Sequence, residues 1–148
     1  MKPISQMTPQ EIAEASARAM WNDDSASQRL DMALDHIAPG EATLSMTVTD
    51  AMSNGHGNCH GGFIFTLADS AFAFACNSYN EQTVASGISV DFIAPAREGD
   101  VLTATAREVA LSGRTGVYDI TVTNQHGAVI AVMRGKSYRL KGRAVFPQ

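Results

Sequence analysis

The spacing of apolar positions changes along the chain and predicts where helices and strands lie. Near the N-terminus, Thr8-Pro9-Gln10-Glu11 has the form of a capping box with proline at the first helical position. This pattern predicts a helix from about Pro9 to Asn22, which Asp23-Asp24-Ser25 is expected to end. The residues expected on its inner side are Ile12, Ala15, Ala19 and Met20.

Alternation of apolar and polar residues follows this helix and predicts a β-hairpin. The alternating apolar residues are Leu30, Met32 and Leu34 in the first series and Leu44, Met46 and Val48 in the second. Ala38-Pro39-Gly40-Glu41 supplies the turn between them. The Gly-, Asn- and Ser-rich segment Thr49 to Cys59 is predicted to be a loop. A long apolar run then predicts a second helix from near His60 to about Tyr79.

The remainder of the chain is predicted to be almost entirely strand. The four segments are Val84 to Ile93, Val101 to Leu111, Thr115 to Asn124 and Ala128 to Leu140. Short connections such as Ser112-Gly113 favour an antiparallel meander. Because a helix that is apolar nearly all round must be covered on most sides, the simplest arrangement wraps a curved antiparallel sheet around it. We therefore expect one α+β domain from about Leu30 to Leu140, with the N-terminal helix packed outside.

Composition narrows the possible functions. The 148 residues are 45% hydrophobic and 18% charged, and the net charge is −4 with a sequence pI near 5.4. A nucleic-acid or anionic-membrane binder would need a basic face, so neither partner is expected. No apolar segment follows Lys2 and no apolar run is long enough to span a bilayer, which favours a cytoplasmic location. Cys59 and Cys76 are expected to be free thiols.

One acidic residue stands out against its surroundings. Asp69 lies in the middle of the apolar run that begins at Phe63, with no basic residue within a helical turn. A carboxylate in such surroundings costs stability unless it has a use. The alternative interpretation is a helix carboxylate that finds a polar partner in a subunit interface.

The start of the same helix offers a second chemical feature. Gly61 and Gly62 leave their backbone amides uncrowded at a helix N-terminus, where a developing negative charge is favoured. This arrangement is suited to holding an acyl oxyanion. Asp69 lies eight residues further on, about 12 Å along a helix that rises 1.5 Å per residue. One carbonyl therefore cannot touch both groups of the same chain.

Two explanations remain open. Either Asp69 is unrelated to the glycines, or a second subunit places its helix antiparallel so that the Asp69 of one chain meets the Gly61 of the other. In the second case Asp69 acts as general base or nucleophile and the Gly61 amide stabilises the oxyanion. Asn54 and His60 would orient water and carbonyl, and Ser89, on a strand expected to face the helix, could hold the carboxylate or the water.

Other chemistries fit the residues less well. A metal site is disfavoured because His56, Cys59, His60 and Asp69 show no paired CxxC or HExxH spacing. A nucleophilic pair of Cys59 and His60 is disfavoured because adjacent side chains diverge.

Several segments together resemble the hotdog-fold acyl-CoA thioesterases, and most of all the PaaI type associated with phenylacetate degradation. The similarity covers roughly Leu30 to Leu140. The matching segments are Asn54, His60-Gly61-Gly62, Leu67 to Ala73, Gly87 to Phe92, Asp100 to Ala106, Thr115 to Ile120 and Arg134 to Ser137.

The resemblance implies a hotdog subunit that pairs into a dimer and usually assembles into a tetramer. It also implies hydrolysis of acyl-CoA thioesters without a metal or redox cofactor. By position, the catalytic carboxylate of the family falls on Asp69, its oxyanion glycine on Gly61, its orienting polar residue on Asn54 and its supporting hydroxyl on Ser89.

The expected substrates are small aryl-acetyl CoA esters, such as phenylacetyl or hydroxyphenylacetyl CoA, and this expectation rests on the family alone. Gly62 is a candidate substrate-binding residue at the helix start, and Arg114 could meet the phosphates of CoA because a guanidinium suits phosphate. The alternatives are a thioesterase for another short or medium acyl-CoA and a protein that binds acyl-CoA without turnover.

Overall fold

A six-stranded antiparallel sheet curves around one long helix in the structure, a computed structural model that describes residues 2–147. The helices are α1 (Pro9–Asp23), α2 (Ser25–Arg29) and α3 (Gly61–Cys76). The strands are β1 (Ala33–Ala38), β2 (Glu41–Thr47), β3 (Thr83–Phe92), β4 (Val101–Ser112), β5 (Thr115–Thr123) and β6 (Val129–Arg139). Short 3-10 turns cover Ile4–Gln6 and Asp50–Met52.

The strand order differs in one respect from the predicted meander. The order across the sheet is β1-β2-β4-β5-β6-β3, and every neighbouring pair is antiparallel. The expectation of a meander is confirmed for β4, β5 and β6 and is wrong for β3, which pairs with β6 and not with β4. The connection of residues 93–100 is long enough to cross from one side of the sheet to the other, so β3 becomes an edge strand.

The core lies between α3 and the concave face of the sheet, as the apolar run predicts. α3 contacts all six strands. Its buried side chains are Ile64, Leu67, Ala68, Ala71, Phe72, Phe74, Ala75 and Cys76. The central strands provide the other half of this core through the residues of β2, β4, β5 and β6 that face the helix.

Helix α3 ends at Cys76 and not at the predicted Tyr79, because Asn77 stops it. The side-chain Nδ2 of Asn77 donates to the carbonyls of Ala73 at 2.9 Å and Thr83 at 3.0 Å, and its Oδ1 accepts from the Thr83 backbone amide at 2.8 Å. The buried side chain of Asn77 therefore ties the end of α3 to the first residue of β3 and fixes the edge strand relative to the helix.

The N-terminal region confirms the predicted capping box and adds one element. The Thr8 hydroxyl accepts from the Glu11 amide, the Glu11 carboxylate accepts from the Thr8 amide, and α1 packs against β1. Helix α2 has no apolar periodicity and could not be predicted. The first strand begins at Ala33 and not at Leu30, because Asp31 has a φ of 53° that interrupts the extended chain.

Candidate active site

A small hairpin in the loop before α3 places Asn54 beside the helix start. Ser53 and Cys59 form an isolated antiparallel bridge, and the Asn54 amide donates to the Asn58 carbonyl at 2.7 Å. Asn54 Oδ1 accepts from the amides of His56 and Asn58 at 2.9 and 3.2 Å. The oxygen of the Asn54 side chain is thus engaged by the loop, and its Nδ2 is the end that faces no acceptor among the described residues.

The His60 side chain caps α3 by accepting a hydrogen bond from one of the two glycine amides. The Gly62 amide donates to His60 Nδ1 at 3.0 Å, while the His60 amide donates to the Met52 carbonyl at 2.7 Å. Gly62 was a candidate substrate-binding residue, but its amide is already paired. No acceptor among residues 2–147 bonds the Gly61 amide, so Gly61 has the free donor at this helix end.

Phe92 covers Gly61 and was not singled out from the sequence. A Cβ atom at Gly61 would lie 3.1 Å from Phe92 Cζ, so the ring packs directly on the glycine. The Phe92 side chain is nevertheless 53% exposed. An exposed aromatic ring beside a free helix N-terminal amide provides an apolar wall for a ligand. The strand pattern alone could not reveal this, because it does not say which residue of α3 the ring meets.

Asp69 is half-buried on the side of α3 that the sheet does not cover. Burial raises the pKa of the Asp69 carboxyl above its ordinary value of 3.8, and no hydrogen bond or cation among the described residues offsets this effect. The next residue, Ser70, contacts Ser27 of α2 through their hydroxyls at 2.8 Å. This contact fixes the rotation of the helix face that carries Asp69.

Within one chain, Asp69 and Gly61 do not form a single site. Eight residues separate them on one continuous helix, about 12 Å at 1.5 Å per residue. The side chains that share the partly exposed face of α3 with Asp69 are Phe65, Thr66 and Ala73.

The expectation that Ser89 faces the helix is corrected by the register of β3. Ser89 pairs with Arg134, whose neighbour Gly135 faces Phe72 of α3. Arg134 and Ser89 therefore share the opposite face of the sheet, where Arg134 binds Asp119. A β-bulge between Ala85 and Gly87 causes the difference, because one extra residue reverses the side on which all later side chains lie.

Arg114 lies in the β4–β5 turn, at the end of the sheet near the C-terminus of α3. Its guanidinium donates to the Tyr138 hydroxyl at 3.3 Å and borders a surface cleft.

Cys59 and Cys76 are buried free thiols, as expected. Within the described residues, no group of three or more His, Cys, Asp and Glu side chains is arranged to hold a metal ion. In residues 2–147, no helix is long and apolar enough to cross a membrane.

The outer edge of β3 has no strand partner in the described chain, and apolar side chains lie beside it. Ile88 and Phe92 face the α3 side and are 36% and 53% exposed, and Ile93 at the end of the strand is 59% exposed. Unpaired backbone groups next to exposed apolar residues are typical of an edge that another chain covers.

Comparison with known proteins agrees with this architecture. The family model of the thioesterase superfamily matches residues 56–131, which include Gly61 and Asp69. The chain is 46% identical over 127 residues to the acyl-coenzyme A thioesterase PaaI of Escherichia coli strain K12, covering 86% of this chain and 91% of that protein.

Solved structures give the same result. The structure of the E. coli PaaI protein from the phenylacetic acid degradation operon superposes with a TM-score of 0.90 at 43% identity, covering 92% of this chain and 99% of that one. A Streptococcus mutans UA159 protein bound to acetyl CoA superposes with a TM-score of 0.73 at 28% identity, covering 76% of this chain and 90% of that one. The expected hotdog fold is confirmed, and the chain belongs to the thioesterase superfamily.

Proposed function

We propose that the protein is an acyl-CoA thioesterase that hydrolyses small aryl-acetyl CoA esters, such as phenylacetyl or hydroxyphenylacetyl CoA. The observation that supports the chemistry best is the pairing, on one helix, of an unpartnered amide at Gly61 with an unpartnered, half-buried carboxylate at Asp69. The substrate class is supported by the similarity to PaaI and its phenylacetic acid operon. Phe92 and Phe63, which lie near the helix start, suit an aryl group.

The proposed site is completed by a second copy of the chain. Antiparallel pairing of two β3 edges across a two-fold axis would run the two α3 helices in opposite directions and cover the exposed Ile88 and Phe92. Asp69 of one chain would then approach Gly61 of the other, which one chain cannot achieve over about 12 Å. The proposal thus includes a homodimer with two composite sites, and a tetramer built from two such dimers.

In the proposed reaction, the thioester carbonyl oxygen accepts a hydrogen bond from the Gly61 amide. Asp69 takes a proton from water as the water oxygen attacks the carbonyl carbon, and the amide stabilises the oxyanion that forms. The C–S bond then breaks, and the CoA thiolate leaves and takes up the proton that Asp69 received, which restores the Asp69 carboxylate. In the nucleophilic alternative, Asp69 itself attacks the carbonyl carbon, the C–S bond breaks and the CoA thiolate leaves and is protonated. Water then hydrolyses the resulting anhydride, which releases the carboxylic acid and restores Asp69.

The neighbouring residues have supporting roles in this proposal. The Asn54 Nδ2 group is free to orient the water or the carbonyl, because the loop holds only its Oδ1. The role of His60 is mainly structural. Its Nδ1 accepts a hydrogen bond from the Gly62 amide, so that the Gly61 amide is the one that binds the substrate. None of these steps requires a metal or redox cofactor. The proposal also places the enzyme in the cytoplasm, which suits its two free thiols.

The first test measures release of free thiol from phenylacetyl CoA and a panel of other acyl-CoA esters. Wild-type protein should turn over the aryl-acetyl esters fastest, and Asp69→Asn should lower kcat by about 10²- to 10⁴-fold, the usual contribution of a general base. Faster turnover of short alkyl or enoyl esters would contradict the proposed substrate class and still support thioester hydrolysis. If the wild type binds CoA esters without turnover, the result would contradict the proposed enzymatic activity and support a protein that only binds acyl-CoA.

The second test asks whether the site spans two chains. Gly61→Pro removes the proposed oxyanion donor, and Asp69→Asn removes the proposed base. When the two inactive variants are unfolded together and refolded, half of the dimers are mixed and each mixed dimer has one intact site, so activity should return to about a quarter of the wild-type value. No recovery, although mixed dimers are demonstrated by mass spectrometry, would contradict the composite site.

A further inference from the structure

Two loops of the chain have the same structure, and each begins with an asparagine. The first is the hairpin before α3, residues 54–58, and the second is the β5–β6 turn, residues 124–128. In both, the sequence is asparagine, a variable residue, histidine and glycine. The glycines, Gly57 and Gly127, have φ angles of 78° and 79°. The same backbone turn is therefore present twice, and the chemistry of the two copies can be compared.

The hydrogen bonds of the two loops also agree. The asparagine Oδ1 accepts from the backbone amides two and four residues further on, at 2.9 and 3.2 Å for Asn54 and at 3.0 Å for both bonds of Asn124. The asparagine amide donates to the carbonyl four residues further on, at 2.7 Å for Asn54 and 3.0 Å for Asn124. These bonds fold each side-chain carboxamide back over the peptide group that follows it.

The residue that follows the asparagine differs between the loops. It is Gly55 in the first loop and Gln125 in the second, and Asn54 is the one asparagine of the chain's six that a glycine follows. Gly55 is exposed, and a Cβ atom there would meet nothing within 4 Å. Its amide donates to no acceptor among residues 2–147. The Gly55 nitrogen is therefore uncrowded and unpaired beside the Asn54 carboxamide.

We infer that Asn54 is a deamidation site, at which the loop converts the side-chain amide into a carboxylate. Asparagine is thermally labile, and attack by the backbone nitrogen that follows it is easiest where that nitrogen belongs to a residue without a side chain. The two amides that bond Oδ1 favour the attack, because they stabilise negative charge on that oxygen. Asn124 has the same bonds, but the Gln125 side chain crowds the attacking nitrogen, so we expect Asn124 to persist.

The reaction needs water as its only co-reactant. The Gly55 nitrogen forms a bond to Asn54 Cγ and loses its proton to water, while negative charge develops on Oδ1. The Cγ–Nδ2 bond then breaks, and Nδ2 takes up a proton and leaves as ammonia. Water attacks one of the two carbonyl carbons of the resulting succinimide ring, the C–N bond at that carbon breaks, and the Gly55 nitrogen regains a proton. The product is aspartate or isoaspartate, depending on which carbon is attacked.

The effect of this change on turnover rests on the proposed function, in which Asn54 Nδ2 orients the water or the carbonyl. Deamidation replaces that donor with an acceptor oxygen and adds a negative charge at the start of α3, where the proposed oxyanion forms. In isoaspartate the main chain also runs through the side-chain methylene, which lengthens the loop and disturbs the bond from the Asn54 amide to the Asn58 carbonyl. Deamidated protein should therefore lose activity, whereas the modification itself depends only on the loop.

The test incubates the purified protein in mildly alkaline buffer and follows Asn54 and Asn124 by peptide mass spectrometry. Methylation by an isoaspartyl methyltransferase measures isoaspartate separately. Asn124 is the internal control, because its loop has the same structure. Gly55→Ala is the matched variant, since its Cβ meets nothing within 4 Å and Gly55 does not have a positive φ. Gln125→Gly is the reverse variant, which gives the second loop the Asn-Gly sequence of the first.

In the wild type, the deamidated fraction at position 54 should rise with time while Asn124 stays intact. Thiol release from acyl-CoA should fall in parallel with the loss of intact Asn54, towards the turnover of an Asn54→Asp variant. Gly55→Ala should begin with wild-type activity and keep both Asn54 and that activity over the same incubation. Gln125→Gly should deamidate at position 124, which the wild type does not.

Intact Asn54 after an incubation that fully deamidates a peptide of residues 52–57 would overturn the inference. Equal rates at Asn54 and Asn124, or an unchanged rate in Gly55→Ala, would also overturn it, because Gly55 would then not direct the reaction. Failure of the proposed function has a different result. Conversion of Asn54 with unchanged thiol release, or in a protein that releases no thiol at all, would support the modification and contradict the role of Asn54 in turnover.

Discussion

His60 Nδ1 accepts a hydrogen bond from the Gly62 amide at 3.0 Å, so the first turn of α3 satisfies one amide itself and leaves the amide of Gly61 free. Gly61 is the first helical residue, a position where proline is tolerated because its missing N–H would be unpaired anyway. The backbone of His60, with φ −59° and ψ 132°, is also one that a residue before proline adopts. The free donor can therefore be removed without removing the helix.

Gly61→Pro should lower kcat by about 10²- to 10³-fold, the usual loss when one oxyanion donor is removed, while the melting temperature changes little. Gly61→Ala is the matched control, because it keeps the amide and its Cβ meets the same exposed Phe92 ring that proline would meet. Steady-state kinetics and thermal melts on both variants make the comparison. Equal losses of kcat would assign the effect to crowding at Phe92 and count against the oxyanion role.

The pH dependence of hydrolysis should report the environment of Asp69. Since burial raises the pKa of this carboxyl above 3.8 and a base must be ionised to act, activity should be lost as the pH falls through that raised pKa. The acid limb of kcat/KM should therefore lie at a higher pH than an ordinary aspartate would give. An acid limb at or below 3.8, or the same limb in Asp69→Asn, would exclude Asp69 as its source.

Asp69 should also reduce stability at neutral pH. Its folded pKa is raised, so the cost of burying the charge is fully present above that pKa and disappears as the pH falls below 3.8. Asp69→Asn should melt at a higher temperature than wild type at pH 7, and the difference should vanish at strongly acidic pH. Asp119→Asn is the opposite control, since the bond from Arg134 lowers the pKa of Asp119. A lower melting temperature for Asp69→Asn at pH 7 would mean that the carboxylate has a stabilising partner in the assembled protein.

Gly135 allows α3 to lie close to the sheet. A Cβ atom at this position would lie 2.7 Å from the ring of Phe72, which is 1% exposed and cannot move away freely. Gly135→Ala should therefore destabilise the protein by about 1–3 kcal/mol through overpacking. Chemical denaturation measures the effect. Phe72→Leu in the same chain should recover part of the loss, and two independent, additive losses would show that the methyl group does not meet this ring.

The sequence predicted the elements well wherever one residue pattern decided them. The capping box at Thr8 placed α1 within one residue, and the segments between the short connections placed the ends of β4 and β5 equally closely. Helix α2 was missed because its five residues contain no apolar repeat. The end of α3 was missed because the side chain of Asn77 bonds a strand that follows it, which a local pattern does not contain.

The features of the site that depend on contacts between distant segments could not be predicted from the sequence. The free amide of Gly61 and the isolated carboxylate of Asp69 follow from the sequence, because both depend on positions along one helix. The face of the sheet on which Ser89 lies does not follow from the sequence, because a single bulge reverses the alternation of side chains in β3. The contact between Phe92 and Gly61 was equally hidden, because it depends on how an edge strand passes the helix start.

The separation of Asp69 and Gly61 along one rigid helix has a consequence for the newly made protein. Under the proposed arrangement, a folded chain that has not yet met a copy of itself holds two half-sites and cannot consume thioester. Specific activity should then fall when the enzyme is diluted below its dimer dissociation constant, and it should recover on reconcentration. The fold would thereby make catalysis depend on the abundance of the protein.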